Sequence, residues 1–369
     1  MNSKERVLAA IAHQEPDRVA ADYWAVPEIT EILLKKFGIE KENDLLNRLE
    51  VDIRYVKPSY TGSDFKEQPD GSLHRELTDG TFVDIWGVKR KKVNWGRGSY
   101  LEMIESPLRD ASSVKEIENN TWPRVEDFDY QSISRQCCKY KDLAIILTGD
   151  RLTTRASVFK LAMYLRGMDK FLMDLVLNPK LVEALVGKLL EFHLEHNRRI
   201  FQAAAKEIDI FMLGDDFGSE NGLLISLPMF RRFFKPALRC LIDSAKKFNL
   251  KTMLHSCGAV REIIPDLIGM GLDILNPIQI PAQGMDPEDL KREFGKDICF
   301  HGSIDVQKEL PFRTSDEIRK IVRSRIKILG KSGGFILAPS HNLQPDIPID
   351  NIVAMYEAER EYTKREPKT

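Results

Sequence analysis

From residue 143 onward the chain repeats one pattern: a short apolar run that stops on polar or small residues, then a stretch with helical periodicity. Residues 143–147 run into Thr148, Gly149 and Asp150, and residues 208–213 into Gly214, Asp215 and Asp216. Met253 and Leu254 lead to His255, Ser256, Cys257 and Gly258, and residues 272–275 to Asn276 and Pro277. Residues 298–300 end on His301, Gly302 and Ser303, and residues 335–337 on Ala338, Pro339, Ser340, His341 and Asn342. Two earlier runs, 18–24 and 51–56, bring the set to eight. Helical stretches follow most of them, near 29–37, 179–200, 228–248, 260–268, 315–329 and 351–362, with Ser315 as the expected cap of 315–329. A further helix over about 4–13, capped by Ser3, precedes the first run. Runs without strict alternation belong to strands covered on both faces, as in parallel sheets. Eight such units predict an α/β fold, a (β/α)8 TIM barrel in one domain over residues 1–369 with an N-terminal helical segment. A doubly wound open sheet is the competitor, and no Gly-x-Gly-x-x-Gly follows the first runs to support it.

Residues 60–100 have a different texture. Residues 73–77 and 81–86 alternate around Thr78, Asp79 and Gly80, a hairpin signal. They predict a β-hairpin excursion carrying Trp86 and Trp95 over one end of the barrel. The basic run 89–92 reads as its solvated edge.

The polar residues gather at the C-terminal ends of the runs: Asp150, Asp215, Asp216, His255, Cys257, Asn276, His301, Asp305, His341 and Asn342. In a barrel those ends meet on one face, where active sites lie. His255 and Cys257 are two apart, so on an extended backbone both leave the same face. Imidazole and thiolate are two of the three protein ligands that a catalytic zinc requires, although both residue types are also common in cores. Asp215 and Asp216 are candidates for orienting substrate or acting as base, or for capping the following helix. His301 is either a catalytic or supporting residue of the site or a core histidine. Cys299, two residues before it on the same strand face, is a rival ligand placed deeper. Asn276 and Gln279 are candidate hydrogen-bonding residues. Cys137, Cys138, Cys240, Met212, Met229 and Met253 read as packing.

Composition excludes several classes. Of 369 residues 43% are hydrophobic and 30% charged, ordinary for a globular protein, and a net charge of -1 offers no pull on nucleic acid or an anionic membrane. Five Cys in a chain of this length do not form a disulfide framework and suit a reducing cytoplasm. No apolar run reaches the roughly 18–20 residues of a membrane span, and the N-terminus has no signal-peptide core. A cytoplasmic location is expected.

Several motifs carry a resemblance. His-Ser-Cys-Gly-Ala, Gly-Leu-Asp-Ile-Leu-Asn, His-Gly-Ser-Ile-Asp and Leu-Ala-Pro-Ser-His-Asn, with Pro345 and Pro348, resemble the uroporphyrinogen decarboxylase superfamily. So does the opening Lys-Glu-Arg-Val-Leu-Ala-Ala with Glu-Pro-Asp-Arg-Val. The resemblance covers nearly the whole chain and implies a (β/α)8 barrel. The decarboxylase branch holds its substrate's carboxylates with Arg-Gln-Ala-Gly-Arg near the N-terminus. Here that region reads Ala20, Ala21, Asp22, Tyr23, Trp24, Ala25, without arginine. Asp84 aligns only loosely with that branch's key aspartate, and Arg151, Arg155 and Arg166 match no motif of it. The cobalamin-dependent methyltransferase branch binds zinc through His-x-Cys and a later Cys in Leu-Ser-Pro-Gly-Cys-Gly. Against residues 337–342 that last position is filled by His341, one zinc ligand replacing another. The resemblance therefore implies His255, Cys257 and His341 as metal ligands, with a fourth position open to substrate.

Two imidazoles and one thiolate leave a zinc site with net charge near +1, a stronger Lewis acid than a two-thiolate site. Such a site suits polarising the oxygen of a methyl ether or methanol. The expected activity is methyl transfer between a methoxylated or methylated small substrate and a corrinoid, in the O-demethylating direction. No Asp-x-His-x-x-Gly segment occurs here, so the corrinoid (cobalamin) is free or carried by a partner corrinoid protein. A methylcobamide:thiol methyltransferase, a tetrapyrrole decarboxylase and a non-catalytic metal- or ligand-binding barrel are the alternatives, and a homodimer is left open.

Overall fold

The computed structural model describes the whole chain except residues 69–70, 96–97, 149–155 and 366–369, and the main chain alone at 95, 98–100 and 363–365. The apolar runs form eight parallel strands: β1 (Ala20–Ala21), β2 (Ile53–Val56), β3 (Ala144–Thr148), β4 (Ile210–Gly214), β5 (Lys251–His255), β6 (Ile274–Ile278), β7 (Cys299–Ile304) and β8 (Phe335–Pro339). Each of β2 to β8 pairs in parallel with its neighbour, and β8 returns to pair with β1 through Ala20↔Ile336 and Ala21↔Leu337. The seam between β1 and β2 is closed differently. The Asp52 N–H donates to Ala21 O at 2.9 Å, and the Ala21 N–H donates to Asp52 Oδ2 at 2.9 Å. Arg6 and Arg18 hold that buried carboxylate at 2.6 and 2.9 Å. A charged side chain thus substitutes for a ladder that two-residue β1 is too short to complete. The sheet is a nearly closed (β/α)8 barrel.

Alternation along each strand sorts side chains between lumen and helices. Ala20, Ile53, Ala144, Ile146, Ile210, Met212, Met253, Ile274, Cys299 and Ile336 form one buried cluster inside the barrel. Val7, Ala10 and Ile11 of helix Ser3–Ile11 join it and close the N-terminal end. The larger apolar cluster lies between the sheet and the surrounding helices, which accounts for the unbroken burial of β3, β4, β6, β7 and β8. Two residues further along, the inward positions turn polar or aromatic: Asp22 beyond β1, Tyr55 on β2, His255 on β5, Asn276 on β6 and His301 on β7. The site is therefore the upper layer of the lumen.

Some boundaries differ from expectation. Asn2 rather than Ser3 caps the first helix, in a reciprocal capping box with Glu5, and Thr314 rather than Ser315 caps Ser315–Leu329. The expected hairpin is present as Leu73–Glu76 and Phe82–Asp84, but it belongs to a five-stranded antiparallel sheet that adds Lys66–Glu67, Lys89–Trp95 and Gly98–Glu105. The basic run is consequently interior to that sheet, not its edge. Arg90 reaches the buried Asp84 at 3.2 Å and Lys89 reaches Asp79 at 2.9 Å, so two of the run's four charges are neutralised, while Lys91 and Lys92 are exposed. Trp86 is buried against Phe192 and His193, whereas the side chain of Trp95 lies outside the described residues.

Candidate metal centre

The loop after β5 is shaped by short-range constraints. Ser256 donates its N–H to Asn276 O at 2.6 Å, and its hydroxyl accepts the Phe217 N–H at 3.0 Å, which pins the residue between His255 and Cys257. Gly258 follows with φ of 87°, and a Cβ there would stand 2.6 Å from the backbone of Gly218. Only glycine fits that close approach without displacement. The result turns the Cys257 thiol back onto the imidazole of His255, with Sγ 3.3 Å from Nε2. His341, exposed on the loop after β8, completes the group: one ligand atom from each of His255, Cys257 and His341 lies within 4.8 Å of the others. A tetrahedral zinc with N and S ligands needs edges of about 3.5 Å. The His255–Cys257 edge already has about that length, and His341 adds the third donor within 4.8 Å. The donor set and its spacing fit zinc.

Asp216 stands beside this group. Its Oδ1 accepts the Cys257 N–H at 3.1 Å and lies 3.6 Å from His255 Nε2, while Oδ2 is ion-paired to the Lys160 ammonium. Burial pushes the Asp216 carboxyl up, but its closeness to His255 and to the Lys160 ammonium, with the hydrogen bonds from Lys160 and the Cys257 N–H, outweighs that and holds it down at about 2. Burial likewise pulls Lys160 down, and the Asp216 charge overrides it, raising the ammonium. Asp215 is committed elsewhere: its fully buried carboxylate accepts the N–H groups of Val158 and Lys160 at 2.9 Å each, holding the start of helix Phe159–Arg166. Of the two aspartates, Asp216 faces the candidate ligands.

Comparison with known proteins agrees with this architecture. The sequence model described as uroporphyrinogen decarboxylase (URO-D) matches residues 101–362, a span that contains β3 to β8 and all three candidate ligands. The chain belongs to the uroporphyrinogen decarboxylase family. Among curated proteins it is similar to the methylcobamide:CoM methyltransferase MtaA of Methanosarcina barkeri, 27% identical over 154 residues, or 42% of this chain and 42% of that protein. The match thus spans less than half of that relative's length. Among solved structures, a methyltransferase from Methanosarcina mazei shares the fold at a TM-score of 0.64 and 18% identity, over 98% of this chain and 99% of that one.

In this uroporphyrinogen decarboxylase family barrel the remaining candidates separate clearly. His301 is fully buried, with Asn276 Nδ2 at 2.5 Å from its Nδ1 and Asp22 Oδ2 at 2.9 Å from its Nε2, so it backs the site instead of facing the mouth. Cys299 lies in the apolar lumen, where burial pushes its thiol up to about 12, and it is no ligand. Gln279 accepts the Gly258 N–H at 2.8 Å and donates to Glu220 at 2.7 Å, bracing the ligand loop. Cys137 packs as expected, but Cys138 and Cys240 are exposed. Arg166 bonds Asp174 and the carbonyls of Leu108, Arg109 and Ala111, a structural brace. Asp84 accepts the N–H groups of Trp86 and Val88 and holds its own turn. Asp150, Arg151 and Arg155 lie outside the described residues. Asp22, Tyr55, Trp24 and Lys160 escaped sequence reasoning. Strand parity offered a signal for the first three, since Ala20, Asp22 and Trp24 alternate inward, as do Ile53 and Tyr55. Lys160 opens a helix and carries no such signal.

Proposed function

We propose that this protein is a zinc-dependent methyltransferase that moves a methyl group between a methoxylated or methylated small substrate and a corrinoid, in the O-demethylating direction. Residues 1–369 act as one unit, and the corrinoid is brought by a separate protein. The observation that carries the reading is the convergence of His255, Cys257 and His341 at the barrel mouth within 4.8 Å, with no fourth His, Cys, Asp or Glu in the group among the described residues. Three ligands and a free position are the pattern of a catalytic zinc, not a structural one. Bound there, zinc supplies a Lewis acid of net charge near +1 to polarise the substrate's heteroatom. The protein's part is to hold that charge in place. Asp216 fixes the Cys257 backbone and adds a compensating carboxylate 3.6 Å from His255 Nε2. Lys160 neutralises the outer side of Asp216.

Decarboxylation of a carboxylate-rich tetrapyrrole is disfavoured by the segment after β1, whose inward side chains are Asp22 and Trp24 where arginines would be needed. The similarity to MtaA favours a second reading, transfer from a methylcobamide to CoM or a related acceptor. Aryl methyl ethers, methanol and the reverse reaction from methylcobalamin to a thiol are assayed with cobalamin, with and without a chelator. Transfer from an ether or methanol to reduced cobalamin, abolished by the chelator and restored by zinc, supports the first reading. Zinc-dependent transfer in the thiol direction alone supports the second, and zinc-independent or absent transfer overturns both.

A further inference from the structure

Behind His255 a line of buried side chains is hydrogen-bonded end to end, and one arrangement of its protons satisfies every member. The line begins at Asp22, a carboxylate only 1% exposed. Its Oδ1 accepts the Tyr23 N–H at 2.7 Å and its Oδ2 accepts the Tyr55 hydroxyl at 2.5 Å, while the Trp24 indole N–H donates to the Tyr55 oxygen at 2.5 Å. An ionised carboxylate only accepts, so His301 Nε2, 2.9 Å from Oδ2, must carry its proton. A neutral imidazole protonated at Nε2 presents a lone pair at Nδ1, and Asn276 must therefore offer its amide NH2 there, at 2.5 Å. The Asn276 carbonyl oxygen is then aimed at His255 Nδ1, 2.6 Å away, and demands an N–H. What remains is a bare Nε2 on His255, facing the Cys257 thiol, the state in which an imidazole binds a metal.

The opposite order fails at its far end. Turning the Asn276 amide over would set the His301 Nε2 lone pair against the Asp22 carboxylate and place a proton on the nitrogen that faces the metal site. Asp216 pulls toward that order from 3.6 Å, but this is beyond hydrogen-bonding reach and its Oδ1 already accepts the Cys257 N–H. The direct bonds of the line outweigh it.

We propose that Asp22 is a positioning residue of the metal centre: acting through His301 and Asn276, it sets the tautomer of His255 and so the ligand competence of its Nε2. The inference rests on His255 being a metal ligand and is independent of which methyl donor the enzyme uses. Nitrogen-15 spectra of the histidine rings in the metal-free protein test it directly. The expected result is His301 protonated at Nε2 alone and His255 at Nδ1 alone; a proton on His255 Nε2 overturns it. Chelator-competition titration with zinc gives the second readout. In Asp22→Asn the new amide is able to donate to His301 Nε2, the line is free to reverse, and zinc affinity falls about 10–100-fold. Tyr55→Phe removes a donor from the same carboxylate without changing what His301 must do, and its affinity stays within roughly threefold of the parent. Equal losses in the two variants, or none in Asp22→Asn, reduce Asp22 to a structural residue and overturn the proposal. Both readouts are independent of turnover. A protein with the expected tautomers and zinc affinities that transfers no methyl group sinks the methyltransferase reading and leaves this one standing.

Discussion

The substitution that matters most at the residue scale is an imidazole where a second thiolate was the family expectation. In the proposed zinc centre His341 leaves Cys257 as the one anionic ligand of the three, so each ligand change has a distinct expected effect. Cys257→Ser removes the thiolate and lowers zinc affinity by more than about 100-fold, read by metal content after dialysis against a weak chelator. His341→Cys keeps zinc but adds a negative charge, weakening the Lewis acid. The ratio of ether to thioether demethylation rates is expected to fall in that variant, and an unchanged ratio refutes the charge argument. Of the three side chains that come together, His255 and Cys257 were legible because His-x-Cys ends an apolar run, and His341 through the family resemblance. The pairings of Asp22 and Lys160 were not legible, because their partners, His301 and Asp216, are 279 and 56 residues away in sequence and only the closed barrel brings them together.

Among elements, the strands were readable and the insertion only partly so. Strands covered on both faces leave continuous apolar runs, and these survive as a sequence signal whatever the loops do. A hairpin is a local signal too, which is why residues 73–84 were found. The addition of Lys89–Trp95 and Gly98–Glu105 to the same sheet was hidden because its lysines imitate a solvated edge. The barrel's weak place is the seam at β1. Asp52→Ala takes away the carboxylate that bridges it and leaves Arg6 and Arg18 without their shared buried partner. A loss of about 3–5 kcal/mol in denaturant unfolding is expected. Gly258→Ala strikes the ligand loop instead: the φ of 87° and the approach to Gly218 cost about 1–3 kcal/mol and displace Cys257, so stability and zinc affinity drop together. Retention of full zinc affinity there counts against the account of the loop.

For the whole molecule, a buried carboxyl links stability to pH. Glu359, on the last helix Ile349–Arg365, is 2% exposed with Arg18 at 3.6 Å. Burial pushes it up to about 7, with the Arg18 charge only partly opposing. Its folded value exceeds the unfolded one, so its contribution is full below the ordinary carboxylate range and is lost as pH rises through about 7. Glu359→Gln removes that loss. Between pH 5 and pH 8 the variant gains stability relative to its parent, by up to about 3 kcal/mol in paired urea titrations; a constant difference contradicts the assignment. The central claim concerns the metal, and zinc-edge X-ray absorption of the purified protein tests it most directly. The account predicts about one zinc per chain, with one sulfur near 2.3 Å and the other ligands nitrogen or oxygen near 2.0 Å, the sulfur shell vanishing in Cys257→Ser. Absence of bound zinc after reconstitution, or a sulfur shell that persists in that variant, contradicts it.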